Sequence, residues 1–207
     1  MNIVPIIVGD LGTNCYILYD SKKQGIIIDP GAHSELILNK IYEQNLTIEK
    51  IILTHGHFDH IGGIDLIKAK TGANIAIHRY DEEMLKDSNK NLSRIMGADY
   101  SLKTGADILL EDGDTIQFGG KTLYVIHTPG HSKGGICLVD EGNAIFTGDT
   151  LFKHSIGRTD FYGGDYNILI SSINEKIMSF DDALIVYPGH GPITTIGDER
   201  HMNPYIN

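Results

Sequence analysis

The sequence predicts an α/β protein in which two β-sheets are stacked between helices. Three observations carry this. Apolar runs of strand length occur in both halves of the chain. Each half also contains segments with helical apolar spacing, so the order reads strands then helices twice over. Apolar residues make up 41% of 207 residues and charged residues 21%, spread along the whole length, which excludes intrinsic disorder. Residues 1–207 are read as one domain, long enough to bury a core without covalent staples.

The elements follow in order. Ile3–Val8, Cys15–Tyr19 and Gly25–Ile28 read as strands, separated by turn residues at Gly9-Asp10, Gly12-Thr13 and Asp20-Ser21. Ser34 offers a helix N-cap, and Leu36, Ile37, Ile41 and Tyr42 follow at helical spacing, which predicts a helix over 34–44. Ile48–Leu53 is a strand ending at Thr54-His55. A helix over Ile61–Lys70, a strand over Ile75–His78 and a helical segment over Tyr80–Lys86 come next. Residues 87–104 are polar and irregular, with a short helix predicted near Leu92–Met96, and are read as a candidate lid. Strands are predicted at 107–110, 115–118, 121–127, 134–139 and 143–147, with turns at Glu111-Asp112-Gly113, Gly119-Gly120 and Glu141-Gly142-Asn143. Asp165–Phe180 carries Ile168, Leu169, Ile173, Ile177 and Met178 and predicts an amphipathic helix. Ala183–Tyr187 is the last strand, and 197–203 a closing turn of helix.

Charge and cysteine content narrow the function. With 17 Lys+Arg against 27 Asp+Glu the net charge is −10, and no basic run is present, which excludes a nucleic-acid partner held by phosphate neutralisation. The N-terminal stretch lacks a basic segment followed by a long apolar one, and no window approaches the ~20 apolar residues of a membrane span. No membrane partner and a cytoplasmic location are therefore expected. Cys15 and Cys137 sit in apolar runs and are read as buried free thiols.

The chemistry is carried by Thr54-His55-Gly56-His57-Phe58-Asp59-His60. Three histidines and an aspartate follow directly on a buried strand, a usual place for a site. His55 and His57 are two apart, so an extended backbone points both the same way. Imidazole and carboxylate together suit zinc, iron or manganese. Three later residues have the same setting: His131 in Thr128-Pro-Gly-His, Asp149 in Phe146-Thr-Gly-Asp, and His190 in Tyr187-Pro-Gly-His. Each lies at a strand end and follows a glycine, which permits a sharp turn and close approach. Four loops thus offer seven candidate ligands.

The run His55-x-His57-x-Asp59-His60, with His131, Asp149 and His190 in that order, resembles the metallo-β-lactamase superfamily over nearly the whole chain. The resemblance implies a four-layer αββα sandwich with two metal ions at one edge of the sheets. It implies that His55, His57 and His131 hold one metal, that Asp59, His60 and His190 hold the other, and that Asp149 bridges them. Within the superfamily the chain is most similar to glyoxalase II-like hydrolases, through Gly157-Arg158-Thr159-Asp160, the ending Gly189-His190-Gly191-Pro192, and Asn203-Pro204. Full-length glyoxalase II carries an added C-terminal helical domain and a Glu-Tyr pair after the last histidine. Here the chain stops at Asn207 and carries Gly191-Pro192, so a hydrolase domain without that addition is expected.

The resemblance implies two divalent ions, zinc first and iron or manganese next, that ready a hydroxide at neutral pH for attack on a small thioester such as S-lactoylglutathione. Asp59 is a ligand first, with a second role in orienting the attacking water. Two divalent ions set against Asp59, Asp149 and one hydroxide leave a net positive centre, which favours anionic or carbonyl substrates. A thiolate leaving group, with a pKa of about 8.5, needs little acid assistance, and no separate general acid is evident. Arg158 is the candidate substrate contact, with an ion pair to Asp160 as the alternative. His33, His78, His127 and His201 are read as structural or surface residues, Lys153 as a surface charge, Tyr162 as packing, and His154 as a further candidate for the cleft. The competing functions on the same fold are an iron-dependent persulfide dioxygenase and a lactone or phosphodiester hydrolase.

Overall fold

A computed structural model describes residues 1–141 and 143–206. Strands β1 (Asn2–Val8), β2 (Thr13–Tyr19), β3 (Gln24–Ile28), β4 (Thr47–Ile52), β5 (Asn74–His78) and β6 (Ile108–Leu110) form the first six-stranded sheet in that spatial order. β1, β2 and β3 pair antiparallel, and β3 to β6 run parallel. The second half contributes β7 (Thr115–Phe118), β8 (Lys121–His127), β9 (Ile136–Val139), β10 (Ala144–Gly148), a small hairpin of β11 (Leu151–Phe152) and β12 (Ser155–Ile156), then β13 (Ile185–Pro188) and β14 (Thr194–Thr195). The second sheet has the order β14-β13-β10-β9-β8-β7, with β10 and β13 parallel.

Period-two alternation sorts the core into three layers. Ile17, Ile27, Ile51 and Ile77 face helices α1 (Ser34–Glu43) and α3 (Ile64–Thr71), meeting Ile37, Ile41, Ile64 and Ile67. Their neighbours Leu18, Ile26, Ile28 and Ile52 face the other way, onto Phe118, Leu123, Leu138 and Phe146 of the second sheet. The outer face of that sheet, with Cys137, Ile145 and Val186, packs on Leu169, Ile173 and Ile177 from α4 (Tyr166–Ser172) and the π-helical turn that continues it over Ile173–Ile177. The result is the four-layer αββα sandwich. Cys15 and Cys137 are buried, free, and in opposite outer layers. Among the described residues, no helix is long and apolar enough to cross a membrane.

Several expectations shift, each for a local reason. The helix predicted over Ile61–Lys70 is two helices, α2 (Phe58–Ile61) and α3, parted at Gly62-Gly63. There Gly62 packs so close to the Gly31 carbonyl that a Cβ would lie 2.4 Å from it. Ser34 does not cap α1; His33, in the left-handed region at φ 50°, is the N-cap, and the Ser34 hydroxyl donates to the Gly63 carbonyl at 3.0 Å. The segment Tyr80–Lys86 tightens to a 3₁₀ turn over Glu82–Lys86. Helix α5 (Ile196–Met202) is capped by Thr195, whose hydroxyl accepts from the Asp198 amide. The predicted turn Glu141-Gly142-Asn143 falls partly outside the described residues.

Residues 87–104 contain turns and no helix near Leu92–Met96. They are tied down. The Asn91 carbonyl accepts from the Phe58 amide at 2.9 Å, the Tyr100 hydroxyl donates to the Ile61 carbonyl at 3.1 Å, and Asn91 and Ser93 are fully buried. The segment thus packs beside α2 through Asn91 and Tyr100.

Candidate metal centre

The ends of β4, β8, β10 and β13 open at one edge of the sandwich, and all seven sequence-predicted ligands meet there. Leaving β4, His55 and His57 project together, and α2 starts at Phe58 so that Asp59 and His60 turn to a neighbouring point. Two glycines permit the approach. Gly148 turns the chain at φ +47°, with Thr54 where its Cβ would be, and a Cβ on Gly189 would lie 2.3 Å from Asp149 Oδ1.

The ligand atoms form two groups within 4.8 Å, His55-His57-His131 and Asp59-His60-His190. In the first, His131 Nε2 lies 3.3 Å from His55 Nε2 and 2.9 Å from His57 Nδ1. In the second, His190 Nε2 lies 3.2 Å from His60 Nε2 and 3.2 Å from Asp59 Oδ2. Asp149 sits between them, with Oδ1 3.4 Å from His60 Nε2 and Oδ2 3.5 Å from His131 Nε2 and 3.6 Å from His190 Nε2.

The far side of each ring decides what faces inward. His60 Nδ1 donates to Asp29 Oδ2 at 2.9 Å, His131 Nδ1 to the Arg158 carbonyl at 2.7 Å, and His190 Nδ1 to the Leu11 carbonyl at 3.1 Å. Thr54 donates its hydroxyl hydrogen to Asp29 Oδ2 at 2.6 Å, so its oxygen accepts from His55 Nδ1 at 3.2 Å. These four rings, when neutral, therefore point bare Nε2 lone pairs at one another across about one hydrogen-bond length. Lone pair against lone pair is repulsive unless a cation lies between them. The buried Asp149 Oδ1 likewise has no hydrogen-bond donor. The donor set of imidazole nitrogens and carboxylate oxygens fits two divalent transition-metal ions.

Electrostatics divide the centre. Burial, reinforced by neighbouring histidines, holds His55 well below the ordinary imidazole range and His57 down to about 3. Burial also lowers His60 and His190, but the carboxylates of Asp59 and Asp149 outweigh it and push both up. Burial raises Asp59, yet His60 and His190 bring it down to about 2. Asp149 is held low by the same histidines against its own burial. His55 and His57 are thus held as neutral imidazoles, while the half with Asp59 is carboxylate-rich.

Some residues that build the centre carry no signal in the ligand pattern. Asp29 could itself form a ligand trio with His55 and His60. Both of its oxygens are already engaged, by the Thr54 amide at 2.7 Å, the Thr54 hydroxyl and His60 Nδ1, so it orients instead. Asp81, fully buried, accepts from the Gly56 amide at 3.2 Å, the Ser132 hydroxyl at 2.6 Å and the Gly134 amide at 2.6 Å. It thereby joins the His55–His57 loop to the His131 loop. Thr13 donates to Asp59 Oδ2 at 3.1 Å, and Asn14 donates to the Pro188 and Gly191 carbonyls, tying the first sheet to the His190 loop.

The other candidates sit farther out. The Arg158 guanidinium is exposed at the cleft rim, paired with Asp160 at 3.0 and 2.8 Å and stacked over Phe161 at 4.1 Å. His154 is exposed and absent from the cleft lining. His78 stacks on His127 at 4.1 Å, away from the centre, and Tyr162 donates to Glu83 at 2.5 Å.

The profile of the metallo-beta-lactamase superfamily matches residues 8–190. The chain belongs to the metallo-β-lactamase superfamily. It is 36% identical over 214 residues to the hydroxyacylglutathione hydrolase GloC of Haemophilus influenzae, covering 100% of this chain and 99% of that one. Among solved structures, it is similar to the BLEG-1 B3 metallo-beta-lactamase, at 38% identity and a TM-score of 0.96 over 100% of both chains. It is also similar to TTHA1623 in a di-iron-bound form, at 33% identity and a TM-score of 0.88 over 98% of this chain and 99% of that one. Family and geometry together make the chain a metallo-hydrolase of this superfamily with a candidate two-metal centre.

Proposed function

We propose that the chain hydrolyses small carboxylic thioesters, with S-lactoylglutathione as the reference substrate. His55, His57 and His131 would hold one divalent ion, Asp59, His60 and His190 the second, and Asp149 would bridge them. The observation that carries this is the convergence of histidine lone pairs and the donorless Asp149 oxygen on two adjacent points. Similarity to a chain named as a hydroxyacylglutathione hydrolase supports the thioester class. Zinc is the proposed metal; the di-iron neighbour makes iron the second to load.

When bound, the ions lower the pKa of a coordinated water toward neutrality and polarise the substrate carbonyl. The protein's own groups do the rest. Asp29, the Arg158 carbonyl and the Leu11 carbonyl hold three imidazoles in the tautomer that presents Nε2. Asp59, fixed by Thr13, would act as a ligand and orient the attacking water. Arg158 is the proposed contact to substrate at the rim. The proposed compartment is the cytoplasm, where the thiols of Cys15 and Cys137 would stay reduced.

The test is thiol release from S-lactoylglutathione by protein loaded separately with zinc and with iron, with metal content measured beside it. A kcat/KM of about 10⁴ M⁻¹s⁻¹ or above, lost in Asp59→Ala, is expected. Two bound ions with no thiol release from any carboxylic thioester would overturn the reading.

A further inference from the structure

The centre forms the floor of a cleft of about 400 Å³. Its apolar lining is Leu11, Ile95, Met96, Phe152, Ile156 and Phe161. Ile95 is 70% exposed, Met96 57% and Leu11 48%, so three large apolar side chains stand in water at the mouth of a site. Such a contiguous patch marks a surface that is covered by a ligand.

Charge recognition is sparse beside it. Arg158 is the one Lys or Arg in the lining among the described residues, and its guanidinium is already bidentate on Asp160. A second hollow of about 470 Å³ shares Leu11, Phe58, Asp59 and Met96 with the cleft. It contains Asp10 and no Lys or Arg, and its His33 already accepts from the Gly9 amide. A thiol carrier bearing two carboxylates would meet one cation, itself neutralised. Away from the candidate metal centre and Arg158, burial of apolar surface is the main binding energy the walls of this cleft offer.

We propose that the substrate's acyl group is an apolar hydrocarbon chain that lies along Ile95, Met96, Phe152 and Phe161, with the thioester carbonyl over the metal-ligand cluster. This rests on the thioester reading and specifies its substrate class. In the reaction, water adds its oxygen to the acyl carbon, the C–S bond breaks, and the thiolate takes up a proton, giving a carboxylic acid and a free thiol. Each methylene drawn into the cleft is worth ~0.8 kcal/mol, a factor of about four in kcat/KM.

The test is a straight-chain series of acyl thioesters of one small uncharged thiol, N-acetylcysteamine, from acetyl to octanoyl, on zinc-loaded protein. The expected result is a rise of about fourfold per methylene until the cleft is filled. Ile95→Ser, at a largely exposed position, should flatten that slope. Binding of the matching straight-chain carboxylates, measured by calorimetry, is the second readout. Turnover without a chain-length slope overturns the acyl site and leaves thioester hydrolysis standing. Carboxylate affinity that rises with chain length, with no turnover of this series or of S-lactoylglutathione, upholds the acyl site and sinks the thioester reading. Neither turnover nor a slope in affinity overturns both.

Discussion

Asp81→Ala tests whether one buried carboxylate holds two ligand loops together. Asp81 is fully buried and accepts three hydrogen bonds, two from backbone amides in the Gly56 and Gly134 turns and one from the Ser132 hydroxyl. Each donor left unmet in the interior costs about 1–3 kcal/mol. Two effects reduce the total. The Ser132 hydroxyl can rotate to another acceptor, and burial raises the Asp81 pKa, so removing the carboxyl also removes a desolvation cost. The net loss expected is ~3 kcal/mol. With a urea slope near the upper end of about 1–3 kcal/mol/M, the midpoint falls by about 1 M. The loops also lose their common anchor, and affinity for the first ion should drop about 10–100-fold. Asp81→Asn keeps one acceptor and should lose about half as much. The assays are urea unfolding of metal-free protein and zinc titration against a chromophoric chelator. An Asp81→Ala protein with an unchanged midpoint and unchanged zinc affinity would refute the reasoning.

The remaining predictions concern other sites. Gly189→Ala places a Cβ where Asp149 Oδ1 now lies, 2.3 Å away, and should displace that carboxylate; metal analysis should find fewer than two ions per chain. Burial pushes Cys137 up to about 11 and Cys15 well above the ordinary thiol value, so neither should react with a disulfide reagent at pH 8 until denaturant is added. His78 is lowered to about 4 by burial and by His127, and its NMR titration midpoint should lie there. Because the folded value is below the unfolded one of about 6.5, the His78 contribution to stability is intact above pH 6.5. It is lost as pH falls toward 4 and is level below that. A His78→Gln protein should lack that part of the acid dependence, as read from unfolding midpoints across the range.

The candidate ligands stood out in the sequence because histidine and aspartate clustered at strand ends are rare in combination, and the strands were legible because apolar runs betray buried sheets. Asp29 had the same setting, directly after Ile26–Ile28, yet its partner His60 is 31 positions away and only folding shows that it orients rather than binds. Asp81 acts on loops 25 and 53 positions distant. A lone carboxylate has no periodicity, and its burial is a tertiary fact. The split at Gly62-Gly63 depends on contact with Gly31, and β11, β12 and β14 are two residues each, too short for any pattern to register.

His131 and His190 are steered by the main-chain carbonyls of Arg158 and Leu11, whose side chains line the cleft. A carbonyl is the same whatever residue bears it. Positions 11 and 158 therefore hold the candidate metal ligands with their backbone, while their side chains line the cleft proposed to take the substrate. Substitution at either changes the lining of the cleft while the carbonyl that orients the imidazole is kept. Selection, or an engineer, could walk this cleft from one class of substrate to another without dismantling the centre beneath it.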